Sequence, residues 1–150
     1  MLKSFVLAVA VIGVAVSAAE IEGTWKLNPA KSKYTGMAGN KELTVAYTKQ
    51  GNGWVYDARG TSSTGEAIKR SYTYVKDGEE AKVTGFPNWD GIVMKNAATN
   101  KSTSTYMRQG KAVGTGTRTI SADGKTMTIR GRVTLPNGKK ATMLSVYDKQ

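Results

Sequence analysis

The chain has 150 residues, 22 of them Lys or Arg against 11 Asp or Glu, giving a formal net charge of +11, and it contains neither Cys nor His. Those two absences exclude disulfides, Cys and His metal sites, Cys nucleophiles and every catalytic triad with an imidazole base, so any chemistry has to come from Asp, Glu, Tyr, Lys or Arg. The basic balance suits anionic partners, yet the Lys residues are scattered, with only Lys139 and Lys140 adjacent, and no dense basic run with interleaved aromatics marks a nucleic-acid-binding element.

In chain order, "MLKSFVLAVAVIGVAVSAAE" places one basic residue, Lys3, before an apolar run from Phe5 to Val16 and then small residues. This is the layout of a secretory signal peptide, residues 1–19, with cleavage after Ala18 or Ala19. The run is shorter than the about 20 residues that a membrane-crossing helix needs, and no second hydrophobic segment follows, so no transmembrane segment is expected. Cleavage leaves 131 or 132 residues, one domain from residue 20 to residue 150, exported to the periplasm or beyond the cell, with 21 basic and 11 acidic side chains.

"EGTWKLNPAKSKY" begins the mature chain with a short strand that stops at Asn28-Pro29, and "PAKSKY" suits a single helical turn. From there strands and turns alternate. Turn signals recur at 51–53 (GNG), 64–66 (TGE), 76–80 (KDGEE), 86–91 (FPNWDG), 98–100 (ATN), 109–111 (QGK), 122–125 (ADGK) and 136–139 (PNGK). Turn signals every 8 to 12 residues mark an all-β sandwich or barrel, and the Asp-Gly and Asn-Gly pairs favour tight hairpins because they tolerate positive φ. Leu43, Val45 and Tyr47 share one face of their run, Trp54 and Tyr56 one face of theirs, and Met127, Ile129 and Val133 lie opposite Arg130 and Arg132. About ten such runs with short connections form an antiparallel meander, whose edges vanish if it closes into an up-and-down barrel of about 8–10 strands.

The first strand, "GTWKLN", resembles the Gly-x-Trp signature of the lipocalins and the wider family of small-ligand barrels. "GTWKLNPAKSKY" together with the closing "SVYDKQ" resembles the lipocalin-like proteins exported by bacteria. The resemblance implies that Trp25 plugs the closed end of a barrel, with a late-strand cation, Arg130 or Arg132, over its ring. It also implies a ligand held inside. The pattern departs from lipocalins in lacking a helix after the last strand.

Candidate ligand residues follow from the strand faces. Arg70 shares a face with Ile68, Tyr72 and Tyr74, Arg108 shares one with Tyr106, and Tyr56 lies beside Trp54. An Arg fork with a phenol suits a carboxylate, so these residues and Trp89 form the expected site for a hydrophobic or amphipathic, anionic small molecule. The alternative is that the Arg and Tyr side chains cover the outer wall. Phe86, Pro87 and Trp89 give the 86–91 segment apolar groups that a solvent loop does not need, so it caps the barrel mouth, contacts a partner or folds onto the core, and Asp90 is the acid there that a ligand could meet. The run "GKAVGTGTRT" lacks the strand-to-helix transition of a phosphate loop, and its glycines fit a bulge or barrel bend. Glu79 and Glu80 sit in a turn with Asp77 and do not form a glycosidase pair. No metal and no cofactor is expected. Two other functions fit the same residues: a filled basic barrel that binds an anionic polymer or protein of the cell envelope, and a cofactor-free isomerase or cyclase using Tyr, Arg and Asp.

Overall fold

The structure is a computed structural model that describes residues 21–150, so the expected signal peptide at 1–19 lies outside the described residues. Eleven strands run as β1 (Gly23–Leu27), β2 (Lys33–Thr35), β3 (Asn40–Gln50), β4 (Gly53–Ser62), β5 (Ala67–Tyr74), β6 (Glu80–Thr84), β7 (Gly91–Lys95), β8 (Lys101–Arg108), β9 (Lys111–Ile120), β10 (Thr126–Thr134) and β11 (Lys140–Lys149). From β3 to β11 each strand pairs antiparallel with the next, and β1 pairs with both β3 and β11, which closes a ten-stranded barrel. The meander expected from the turn spacing is therefore present, and closure leaves no long unpaired edge.

The first stave of the barrel is a broken strand. β1 lies against the end of β11, Trp25 opposite Lys149 and Leu27 opposite Tyr147; β2 then continues along the same neighbour, Lys33 opposite Leu144 and Thr35 opposite Thr142. Between them Asn28-Pro29 forces a single 3-10 turn, Pro29–Lys31, in which Pro takes a position that needs no N–H donor and the Asn28 side chain accepts from the Lys31 N–H. The Ser32 hydroxyl accepts from the Val146 N–H and donates to the Asn28 carbonyl, which seats this turn on the outside of β11. That contact buries Val146 although its side chain points away from the barrel interior.

Alternation assigns the faces as the sequence suggested for β3, β4 and β10: Leu43, Val45, Tyr47, Trp54, Tyr56, Met127 and Val133 are buried. Arg130 and Arg132 are exposed on the outer side of β10, so neither lies over Trp25. The cation above the Trp25 ring is Lys149, 5.3 Å from the ring centroid, because Lys149 is the cross-strand neighbour of Trp25 and the two arginines alternate with inward-facing residues. Trp25 itself is fully buried and donates from Nε1 to the Ile21 carbonyl at 2.8 Å.

The connections fall into two sets. Those at 51–52, 75–79, 96–100 and 121–125 lie at the end that holds Trp25, Trp54, Tyr74, Ala97, Ile120 and Met127, all buried. This end is packed shut. Trp54 stacks on Tyr74 with centroids 5.5 Å apart, and the Tyr74 hydroxyl donates to Asp77 at 2.7 Å. The remaining connections, including 36–39 and 85–90, lie at the opposite end.

Candidate functional site

The two ends differ in what they leave inside. Beyond the packed end the interior holds a cavity of about 100 Å³, on a measure in which one water needs roughly 10–15 Å³. Its wall is mostly aromatic. Tyr47 meets Tyr56 edge-on at 5.3 Å, Tyr56 stacks on Tyr72 at 4.5 Å, Phe86 lies 6.5 Å from Tyr72 and 5.2 Å from Trp89, and Trp89 stacks on Tyr106 at 4.6 Å. This belt crosses β3, β4 and β5, jumps to the 85–90 segment and ends on β8. Tyr34, Met37, Met143, Ser145 and Tyr147 line the cavity from the side of β2 and β11. Tyr34 and Ser145 share a hydrogen bond of 2.8 Å, and the Asn40 amide donates to the Tyr34 hydroxyl.

Two cations complete the wall, Arg70 on β5 and Arg118 on β9, and no carboxylate is among the lining residues. The Arg70 guanidinium lies 5.1 Å from the centroid of Phe86. Arg118 is buried and donates from one terminal nitrogen to the Ala97 carbonyl at 2.6 Å. Among the described residues, three buried side-chain polar atoms make no hydrogen bond within the protein: Arg70 Nε, Arg118 Nε and Ser102 Oγ. All three residues line this one cavity, and Ser102 stands directly across the ladder from Arg118. Buried donors without partners are rare because each loses its water without compensation.

The phenols are set up as neutral donors. Burial raises the pKa of Tyr47, Tyr56 and Tyr72, and at Tyr47 the nearby Arg118 opposes part of that rise. Tyr106 is pushed up to about 12 by burial and by Tyr47. Tyr147 rises too, chiefly by burial. At neutral pH each of these hydroxyls therefore keeps its proton.

The glycines of the "GKAVGTGTRT" run explain how Tyr106 fits. Gly114 faces Tyr106 across the β8–β9 ladder and Gly116 is the next inward position; Gly131 is paired with Gly116 on β10. A Cβ on Gly116 would collide with the Tyr106 hydroxyl, and one on Gly131 would lie 3.0 Å from it. Three missing side chains on adjacent strands thus form the slot that admits one large ring.

Of the residues singled out in the sequence, Tyr56, Arg70, Tyr72, Tyr106 and Trp89 line the cavity. Tyr74 and Arg108 do not. Tyr74 belongs to the packed end through Trp54 and Asp77. Arg108 lies at the opposite end, where its NH1 donates to the Asn88 and Thr134 carbonyls at 3.0 Å each and ties the 85–90 segment to the end of β10. That segment folds inward, with Phe86, Pro87 and Trp89 on the cavity, whereas the Asp90 carboxylate is exposed and accepts from the Gln109 N–H. Residues not anticipated as ligand contacts are Tyr34, Tyr47, Ser102, Arg118, Ser145 and Tyr147. Tyr47 carried a signal, since it shares the period-2 face of Leu43 and Val45.

No protein-family model and no curated protein matches the chain. Among solved structures it is similar to the zebrafish ileal bile acid-binding protein in complex with cholic acid, with a TM-score of 0.51 and 10% identity over 86% of this chain and 98% of that one. A redesigned β barrel, mFAP1, bound to DFHBI also matches, with a TM-score of 0.41 and 18% identity over 85% of this chain and 94% of that one. At 10% identity the likeness to the bile acid-binding protein is one of fold alone, a small antiparallel β-barrel.

Proposed function

We propose that the protein is an exported carrier that holds a small amphipathic acid in the barrel without transforming it. The observation that carries this reading is the convergence of Arg70 Nε, Arg118 Nε and Ser102 Oγ, all buried and unpartnered within the protein, on one aromatic cavity that contains no carboxylate. A buried guanidinium, Arg118, and a half-buried one, Arg70, without a lining counter-charge are costly unless a ligand brings the negative charge, and the phenols held neutral around them supply further donors. The apolar portion of the ligand would lie along the Tyr56–Tyr72 stack and Phe86. Met37 and Met143, whose unbranched side chains re-pack readily, would set how long a tail is admitted. The bile acid-binding neighbour, crystallised with a steroid acid, is in keeping with this ligand class.

Binding without transformation is supported by the lining itself. With the phenols of Tyr47, Tyr56, Tyr72, Tyr106 and Tyr147 held protonated by burial and no carboxylate among the lining residues, the wall offers no carboxylate base for a proton transfer at neutral pH. Export is supported by the layout of residues 1–19, and the intact mass of the mature protein from its host would begin at Ala19 or Glu20.

The test is native mass spectrometry of protein from its own host, followed by displacement of a fluorescent carboxylic acid probe from stripped protein. A bound organic acid, and a series in which carboxylates displace the probe while the matching alcohols and methyl esters do not, are the expected results. Protein that is consistently empty and takes up acid and alcohol equally would sink the reading.

A further inference from the structure

Positive charge is unevenly divided along the chain. Residues 21–90 contain ten Lys or Arg and eight Asp or Glu, whereas residues 91–147 contain ten Lys or Arg and a single acid, Asp123. Asp123 lies in the turn between β9 and β10, where it accepts from the Ser121 hydroxyl and the Lys125 N–H, and the acid that follows, Asp148, sits at the far end of β11 beside Lys26 and accepts from the Asn28 amide, so the outer face of β7 to β10 and of β11 up to Tyr147 carries no acid. The three ion pairs of the described residues, Arg59–Asp57, Lys76–Glu79 and Lys82–Glu80, are all in the other half.

The outer face of this half is also concave. Two adjoining depressions, of about 660 and 540 Å³, run across the strands from Val93 and Lys95 on β7 to Thr142 and Lys140 on β11, and share Thr105, Thr115, Arg132 and Thr142. Five strands give a trough of roughly 19 Å at the usual inter-strand spacing. Its floor includes the backbone of Gly114, Gly116 and Gly131, its sides carry Thr hydroxyls, and Arg130 and Arg132 are exposed beside it with no ion-pair partner among the described residues.

We infer that this trough binds an extended anionic polysaccharide, independently of the interior cavity. The two guanidiniums would take carboxylates or sulfates bidentately, and Lys95 and Lys140 would add point charges at either end of the path. The Thr hydroxyls both donate and accept, which suits sugar hydroxyls. The same face has no aromatic platform on which to stack bases, since Tyr106 and Tyr147 point inward. It has no large exposed apolar side chain to enter a bilayer either; the one such residue among those described, Val75, lies in the β5–β6 turn. A polyanionic sugar chain is the partner these features fit best.

Fluorescence anisotropy with labelled polygalacturonate tests it, with wild-type protein, the Arg130→Gln/Arg132→Gln variant, and a Lys41→Gln/Lys69→Gln variant that removes the same charge from the exposed faces of β3 and β5. The trough variant should bind about tenfold more weakly and show a log-affinity against log-salt slope smaller by roughly one to two, while the opposite-wall variant changes less than about twofold. Both pairs are exposed, and coincident melting curves for the three proteins confirm that the fold is kept. Equal losses in the two variants would overturn the inference, as would tighter binding of a single-stranded oligonucleotide or of anionic phospholipid vesicles, or equal binding of neutral dextran.

Discussion

At the packed end of the barrel the buried polar atoms are matched. The Trp25 indole donates to the Ile21 carbonyl, the Tyr74 hydroxyl to Asp77, and the Asp77 carboxylate also accepts from the N–H groups of Asn96 and Ala97. Half a barrel away, around the cavity, Arg70 Nε, Ser102 Oγ and Arg118 Nε have no such partner. Both regions draw on Tyr and Trp, and β4 and β5 serve both, giving Trp54 and Tyr74 to the packed end and Tyr56 and Tyr72 to the cavity. What separates them is satisfaction: one end has closed its hydrogen bonds on itself and gains stability, and the other has left them for something else. Arg118 belongs to both, with one terminal nitrogen on the Ala97 carbonyl and Nε on the cavity.

The comparison breaks first at Trp25. Trp25→Ala should cost about 3–5 kcal/mol in urea unfolding, because the residue is fully buried, while the fraction that stays folded keeps its affinity for an acid ligand. Equal loss of affinity would mean that the two ends are one unit. Alkaline pH strains the other region. Since folding raises the pKa of Tyr106 to about 12 from 10.0, its contribution is intact below pH 10 and is lost as pH rises towards 12, about 3 kcal/mol from this residue alone. Urea midpoints measured from pH 9 to pH 12 should fall, and Tyr106→Phe should flatten the fall.

Arg118→Gln is expected to reduce both properties, ligand affinity about tenfold and stability by about 1–2 kcal/mol, through its two sets of contacts. Arg70→Gln should give the same tenfold loss of affinity with stability changed by less than about 0.5 kcal/mol, as calorimetry and urea titration would show side by side, because Arg70 is half-buried against Phe86 and holds no part of the packed end. The finest difference lies in the wall. β5 and β6 are joined at two register positions, Ser71 with Thr84 and Tyr72 with Val83, whereas β10 and β11 are paired from Thr126 to Thr134. Amide hydrogen exchange should be faster in Glu80–Thr84 than along β10, and an acid ligand should slow it there.

Alternation groups Tyr56 with Trp54, Arg70 with Tyr72 and Tyr106 with Arg108 on shared strand faces in the sequence, and which way those faces turn is decided by the closure of the barrel. Alternation gives the face and says nothing of the height along the barrel. Tyr74 and Arg108 lie on correctly assigned faces but at the two ends, because strand stagger decides which residues share a level. Arg118 was obscured for another reason: its neighbours on that face, Gly114 and Gly116, have no apolar bulk to announce a core, since Tyr106 from the next strand fills their space. Tyr34 and Tyr147 depend on the broken first stave, and how β2 resumes along β11 after Pro29 is a tertiary outcome with no local signature. The cation on Trp25 was a matter of applying alternation consistently, because Arg130 and Arg132 sit between the inward-facing Ile129, Gly131 and Val133.

Gly114, Gly116 and Gly131 have been met twice, inside as the slot for Tyr106 and outside as the floor of the basic trough. They make this stretch of wall a partition one peptide thick between two rooms. A side chain added at any of the three meets the Tyr106 ring or its hydroxyl, so these are the positions where the sequence has the least freedom to drift while Tyr106 keeps its place.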